Sequence, residues 1–508
     1  MGNKFISKIH PKMALGYKGV NKNYSNRSSC VFPILISECN DVNIVFLNYW
    51  SLKNNLKSVI CNMRIYDTEG VLKEFFTKKI VDSHNNFSIK SIVNFHQDSR
   101  DFIGIVNIEI VSEENLSFTF PAITAFYSSR NNFSAVHAAG RIKNTEESKY
   151  FGVIRETNWT CKWEKGITPF FSIFNGACNG ILDKLNIKIR NPDKSILREK
   201  SIQIDLLKPF QNRLIFLDEL FDYDVNAINS EAYVEVDIPC LDIFPRMICG
   251  NYHKSDKFLE VTHSFEDQEN NLDYLPENKV EEDNLSYSIN PIATIKDLNL
   301  ELMYFPTNCV GRVKGYWRTG TYNQSLYNHD DSFDWICGGE DSNLKKIKIN
   351  NSNVVKALDI IEGRIPTRIN TNYIYKVVKS SLSYSTDIAA GHVTKYFPPK
   401  KRSWGHGIIG GGYISVLLMT SFAQDDSTRI ESKGKLVIYT NKKEYISFHT
   451  IPKEGAIKIN LNELVDDNLD IKKPNIISWF YDQEERTKLM TYWISYTPSG
   501  QITGDHAF

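Results

Sequence analysis

The chain has 508 residues, of which 60 are basic and 60 acidic, so its formal net charge is zero. A chain of this length exceeds one ordinary hydrophobic core, which predicts several domains. Neither an excess of positive charge nor a basic stripe is present, which argues against a nucleic-acid partner. With 42% hydrophobic and 24% charged residues, the composition is typical of a folded soluble protein.

The cysteines and the N-terminal residues set further limits. Nine cysteines are scattered without a CxxC pair, which excludes a zinc ribbon or a CxxC redox site. The first residues lack the apolar run of a signal peptide. The most apolar stretch, Ile408–Phe422, is shorter than a membrane span and contains Gly410–Gly412. We therefore expect a cytoplasmic protein without a membrane span, and the sequence identifies no cofactor.

Short runs of β-branched, aromatic or alternating residues predict strands along the whole chain. Residues 1–30 are polar and predict a loosely held arm. The first strands are expected at Val42–Leu47, Asn62–Tyr66, Asn86–Ile92 and Ile103–Ile110. No long helical stripe interrupts them, so an all-β fold is predicted.

The same order of runs returns at a regular interval. Ile65 and Ile189 follow similar strand patterns 124 residues apart, and Ile438 lies 249 residues further on, which is about twice that interval. The spacing predicts four tandem, related antiparallel β-sandwich domains of about 125 residues, arranged as two pseudo-symmetric pairs. Their expected ranges are 31–145, 146–265, 287–400 and 401–508, with an acidic linker at 266–286. The third domain is the most diverged and carries an insert-like polar stretch at 323–342.

A tyrosine and a histidine recur near the end of each copy. The pairs are Tyr127 with His137, Tyr252 with His263, Tyr373 with His392, and Tyr481 with His506. Imidazole transfers protons at neutral pH and binds metals, so the four histidines are candidates for a catalytic or metal site between domains. Alternatively, a residue that recurs once per copy fixes the same strand end in each, as a tyrosine corner does. No carboxylate keeps a fixed spacing from these histidines, so we favour the structural interpretation.

Two groups of tryptophans stand among polar residues and are candidates for ligand binding. They are Trp159 and Trp163 in the second copy, and Trp317 and Trp335 in the third. Aromatic faces beside hydrogen-bonding groups can stack on sugar rings, although tryptophans also fill sandwich cores. Near Trp335, the carboxylates of Asp330, Asp331 and Asp334 are candidate calcium ligands, but their spacing does not match an EF-hand.

The sequence contains no catalytic motif, so a non-enzymatic function is favoured. Repeated modules gain avidity when each binds weakly, which favours a binding or assembly protein whose ligand is a carbohydrate or a partner protein. One alternative is an enzyme with an inter-domain site that uses one or more of the recurrent histidines, with or without a metal. Another is a purely structural coat or appendage component, for which self-association is expected.

Overall fold

A computed structural model of the chain divides into two compact units, residues 1–268 (unit 1) and 269–508 (unit 2). It describes residues 25–95, 101–116, 121–130, 132–142, 154–178, 183–191, 195–204, 207–238, 243–244, 246–266, 286–291, 298–307, 311–321, 328–337, 345–349, 354–362, 368–377, 383–390, 399–422, 430–453, 455–465 and 472–508.

Most of the described residues of unit 1 lie in strands. In chain order the strands are β1 Arg27–Ile36, β2 Asn40–Leu47, β3 Ile60–Asp67, β4 Leu72–Lys79, β5 His84–Ser88, β6 Phe102–Val111, β7 Thr124–Ser129, β8 Asn132–His137, β9 Arg141–Ile142, β10 Ile154–Asn158, β11 Ile167–Phe174, β12 Asp183–Arg190, β13 Ile196–Ile204, β14 Asn212–Phe216, β15 Tyr233–Ile238, β16 Ile243–Phe244, β17 Ile248–His253, β18 Phe258–His263 and β19 Phe265–Glu266. The short helices are α1 Tyr49–Asn54, α2 Ile89–Ile92, α3 Leu217–Leu220 and a 3-10 turn at Val225–Ala227.

The strands of unit 1 pair in two similar sets. The first set forms the sheets β1-β6-β3-β4 and β5-β2-β7-β8, and the second forms β13-β12-β15-β10-β19 and β14-β11-β17-β18. If the eight main strands of each set are lettered A to H in chain order, both sets contain the sheets A-F-C-D and E-B-G-H. Strand D therefore lies at one edge of its sheet and strand H at one edge of the other.

Unit 2 is also built from antiparallel strands. They are β20 Ser286–Pro291, β21 Leu298–Thr307, β22 Gly311–Thr321, β23 Asn328–Cys337, β24 Lys345–Ile349, β25 Val354–Glu362, β26 Arg368–Val377, β27 Ser383–Ala390, β28 Lys400–Ile409, β29 Ile414–Phe422, β30 Ser432–Tyr439, β31 Glu444–Ile451, β32 Ala456–Asn460, β33 Asn475–Tyr496 and β34 Ile502–His506, with a 3-10 turn at Leu461–Leu464.

The lettered order also holds in unit 2. Strands β20 to β27 form the sheets β20-β25-β22-β23 and β24-β21-β26-β27. In the last set, β33 is a single strand of 22 residues. Its first part pairs with β28 and β30, and its last part pairs with β29 and β34. One continuous strand therefore serves as both F and G.

The all-β class and the antiparallel sandwich architecture predicted from the sequence are confirmed, while the number of domains and their boundaries stay a prediction. Strand β1 begins at Arg27, within the last residues of the expected arm. The polar stretch of the third copy is not simply an insertion, since β23 within it pairs along β22 as strand D. No helix in the described ranges is long and apolar enough to cross a membrane.

The two sets of unit 1 share part of their hydrophobic core. Val31, Tyr66 and Ile105 of the first A-F-C-D sheet belong to the same buried cluster as Phe174 and Leu207 of the second set. The ring of Tyr66 stacks on that of Phe210 at 4.3 Å between centroids. The turn that joins β3 to β4 is also fixed there, since Asn212 donates its backbone N–H to the carbonyl oxygen of Thr68 at 3.1 Å.

Gly70 is the closest point of this contact. It has φ +79°, and a Cβ atom there would lie 2.3 Å from the carbonyl oxygen of Pro209. We expect Gly70→Ala to lower the unfolding free energy of unit 1 by about 1–3 kcal/mol beyond the cost of its positive φ, because the clash is with backbone. Chemical unfolding followed by circular dichroism measures this difference.

Gly166 provides the matched control. Its φ of +82° carries the same backbone strain, but a Cβ atom there would meet no other atom within 4 Å. Gly166→Ala should therefore cost only about 1 kcal/mol. Equal losses in the two variants would show that the contact at Gly70 is not tight.

Candidate functional site

The H strands of unit 1 meet where the two sandwiches adjoin. The Ser134 hydroxyl of β8 accepts a hydrogen bond from the backbone N–H of Val261 in β18 at 2.8 Å. The same hydroxyl lies 3.3 Å from the Val261 carbonyl oxygen, to which it can donate. One side chain thus satisfies both backbone groups of a residue at a sheet edge, which would otherwise be an open pairing site.

Two of the four recurrent histidines come together at the ends of these strands. His137 ends β8 and His263 ends β18, and their rings contact edge to face with 4.7 Å between centroids and 79° between planes. His263 is buried, and its Nδ1 lies 2.9 Å from the carbonyl oxygen of Ser264. His392 lies outside the described residues.

His506, at the end of β34, makes the same local bond as His263. Its Nδ1 lies 3.2 Å from the carbonyl oxygen of Ala507, the next residue. In both cases the geometry suits an Nδ1–H donor, which fixes the ring over the end of strand H. This local bond favours the structural interpretation of His263 and His506.

The recurrent tyrosines do not accompany the histidines in a common site. Tyr127 in β7 is buried, and its hydroxyl donates to the Pro33 carbonyl oxygen at 2.8 Å. Tyr127 lies opposite Ser134, and Tyr373 lies opposite Thr386 in the corresponding hairpin. Tyr481 belongs instead to the part of β33 that pairs with β28 and β30. Its grouping with His506 therefore does not match the other pairs.

Unit 1 contains a buried ion pair that the sequence patterns did not indicate. Lys162 Nζ lies 2.8 Å from Oε1 of Glu260 in β18, and both side chains are at most 10% exposed. The other carboxylate oxygen, Oε2, is 3.1 Å from His253 Nε2. Burial alone raises the pKa of Glu260, but the Lys162 ammonium and His253 outweigh it and hold the pKa well below its ordinary value.

This ion pair anchors the segment between β10 and β11. The Lys162 backbone N–H donates to the Asn251 side-chain oxygen at 2.7 Å, and the Asn251 amide donates to the Thr160 carbonyl oxygen, also at 2.7 Å. A carboxylate that stays ionised far below neutral pH is poorly matched to general acid–base catalysis. We therefore interpret the cluster of Lys162, Glu260, His253 and Asn251 as structural.

The structure does not favour the prediction that Trp159 and Trp163 bind a ligand, because both side chains are buried. Trp159 stacks on Tyr233 with 3.8 Å between centroids. Trp163 belongs to the core cluster and donates its indole N–H to the Ala232 carbonyl oxygen at 2.9 Å. Neither ring presents a face on which a sugar could stack.

The candidates of the third copy lie in two paired strands. Trp317 is in β22, and Trp335, Asp330, Asp331 and Asp334 are in β23. In the ladder, Asp331 is opposite Trp317, and Asp334 is opposite Lys314. The side chains of these five residues lie outside the described part of the structure, so their binding roles stay predictions.

The exposed apolar side chains share one location that sequence reasoning missed. In the described part of the chain, the strongly exposed large hydrophobic residues lie in a D strand or within two residues of one: Val71, Leu72, Phe75, Val81, Ile196, Ile446 and Phe448. Each of the strands β4, β13 and β31 ends its sheet. An exposed strand edge that carries apolar side chains is a site for pairing with another chain.

Comparisons with known proteins do not identify a family. No protein-family model and no curated protein matches the chain. A solved biofilm associated protein, BSP domain, is similar at 8% identity and a TM-score of 0.17, covering 96% of this chain and 93% of that chain. The native form of E. coli alpha-2-macroglobulin aligns at 6% identity and a TM-score of 0.12, covering 96% of this chain and 30% of that chain. TM-scores this low do not establish a shared fold.

Glu260→Gln tests the buried ion pair. The variant leaves the Lys162 ammonium buried without its counter-charge, so we expect a loss of about 3–5 kcal/mol in unfolding free energy. The matched control is the double variant Lys162→Met with Glu260→Gln, which removes both charges and should recover part of the loss. If the double variant is no more stable than Glu260→Gln alone, the unpaired Lys162 ammonium is not the cause of the loss.

His84 should make folding sensitive to mild acid. Burial lowers the pKa of His84 to about 4, so between about pH 6.5 and pH 4 the unfolded chain binds the proton that the folded chain excludes. Stability should fall as pH decreases through this window, by roughly 3 kcal/mol when complete. His84→Gln should flatten the dependence measured by chemical unfolding, and an unchanged slope would contradict this role.

Proposed function

We propose that the chain is a non-enzymatic assembly protein, which pairs with protein chains through the free D edges of its sandwiches. The observation that carries this proposal is the concentration of exposed apolar side chains at β4, β13 and β31. Scattered exposed hydrophobic residues are ordinary on protein surfaces, but a recurrent position on equivalent edge strands is not expected from chance.

The chemistry of an open strand edge favours a protein as the partner. Its outward N–H and C=O groups can extend the sheet by hydrogen bonding to another backbone, and side chains on alternate positions then provide specificity. On β31, Ile446 and Phe448 are two residues apart and are 55% and 77% exposed. On β4, Phe75 is 53% exposed and lies 5.2 Å below the guanidinium carbon of Arg64.

The alternative functions have less support. A saccharide site was expected around Trp159 and Trp163, whose rings are buried. An enzyme was expected to use the recurrent histidines, of which His263 and His506 are bonded to the carbonyl oxygen of the following residue. These local bonds serve the strand ends and leave assembly as the better-supported function.

A triple substitution of the D edges tests the proposal. Leu72→Lys, Ile196→Lys and Phe448→Lys together place a charge on each of the three edges, and charged edge residues oppose strand pairing. Sedimentation velocity of the wild-type full chain over a range of concentrations should show association, and the triple variant should show little or none. A wild-type chain that stays monomeric at every concentration would contradict assembly with itself.

Val81→Lys is the matched control. Val81 is 70% exposed but lies two residues beyond the end of β4. The variant therefore makes the same chemical change outside the strand pairing. This variant should associate like the wild type. If it weakens association as much as the triple variant does, the effect is one of general surface charge and not of the edges.

A further inference from the structure

The D edges β4, β13 and β31 differ in the features that protect them against pairing with another strand. Natural sheet edges are commonly protected by lysines, charged residues or β-bulges. β4 carries Lys73, Lys78 and Lys79, and its pairing with β3 shifts register next to Tyr66. β13 carries the charged run Arg198–Lys200, and its pairing with β12 shifts register at Arg190.

β31 has neither form of protection. It pairs with β30 in one unbroken register over eight residues, and its sole charged side chain at neutral pH is Glu444, at the first position. It contains no lysine and no proline. A regular, nearly uncharged edge with exposed Ile446 and Phe448 would promote aggregation unless a partner covers it.

We propose that β31 pairs antiparallel with β31 of a second copy of this chain, about a two-fold axis through Ser447. This inference rests on the proposed function and names its partner. With Ser447 on the axis, Phe448 lies opposite Ile446 of the partner subunit, and the reverse contact is made by symmetry. Facing aromatic and β-branched side chains are among the favourable cross-strand pairs. Such a two-fold interface closes on itself and leaves neither backbone edge of β31 open.

The charges on this face also fit the same register. Lys433 of β30 lies opposite Thr450 of β31. The axis at Ser447 then places Thr450 opposite Glu444 of the partner subunit. Lysine and glutamate therefore lie in one row across the interface, and like charges do not face each other. If the axis passed through Ile446 instead, Glu444 would face the apolar Phe448 of the partner subunit. The axis at Ser447 is therefore favoured.

The small size of the contact predicts a reversible dimer. With the axis at Ser447, seven residues of each β31, 444–450, face the other copy, which is fewer than the 20–30 residues a side of a standard stable interface. We therefore expect dimerisation that depends on protein concentration, and not a permanent complex.

Ser447→Cys tests both the contact and its register. Directly opposed residues of an antiparallel pair have Cα atoms about 4.5–5.5 Å apart, which a disulfide can bridge. Oxidation of the full-length variant should give a covalent dimer. Peptide mapping should then locate the disulfide between the two introduced cysteines. The wild type controls for native exposed thiols such as Cys39 and Cys178. Ser51→Cys, an exposed position on α1 outside the sheet edges, controls for random collision.

Phe448→Lys supplies a second measurement. Because Phe448 is 77% exposed, the change should leave the fold intact by circular dichroism while weakening dimerisation about tenfold or more. It should also slow cross-linking when combined with Ser447→Cys. Leu72→Lys and Ile196→Lys should leave the dimer unchanged.

The outcomes separate the inference from the proposed function. If Ser447→Cys cross-links no faster than Ser51→Cys, the β31 pairing is wrong. If the wild type still associates in that case and the triple edge variant does not, assembly through other edges stands. If the wild type never associates with itself, the β31 pairing is wrong, and so is self-assembly through the D edges.

Discussion

An open β-sheet always has two edges, and the unpaired backbone groups along them must be covered or left to water. This constraint organises the structure, because each of the first three sets of strands forms two open sheets, and in the last set β33 joins the two sheets. Within unit 1, the H edges are occupied: Ser134 of β8 uses its hydroxyl to bond both backbone groups of Val261 in β18. The D edges are the ones at which the strongly exposed apolar residues of the described chain are concentrated.

Much of the architecture could be predicted because strand patterns are local. Alternation with a period of two requires only neighbouring residues, and it correctly located the strands around Ile65 and Ile189. The correspondence extends to side chains. Thr77 donates to Asn62 in β3 at 2.9 Å, and Ser201 donates to Asn186 in β12 at 2.6 Å, each across a hairpin of the same length.

Burial and long-range pairing could not be predicted in this way. Trp159 and Trp163 stand among polar residues, which suggested exposure, but Asn158 and Lys162 are themselves buried and bonded. The partner of Lys162 is Glu260, 98 residues away, and no local pattern connects them. The same is true of the contact between His137 and His263, and of the free D edges, which become visible only once the order of strands is known. The structural interpretation of the histidines stays a prediction, which rests on recurrence because a residue repeated once per copy points to a shared strand end.

The uninterrupted strand β33 has a mechanical consequence for the last sandwich. A sandwich whose F and G strands are joined by a flexible loop can separate its two sheets without breaking either one. Here the two sheets share one strand of 22 residues, and Gln483 and Thr487 bond to each other at 3.2 Å within it. Separation of the sheets would require β33 to bend or to lose its ladder on one side. Slow amide exchange should therefore cover both paired parts of β33, residues 475–483 and 487–496, and the two sheets should open together as one cooperative element.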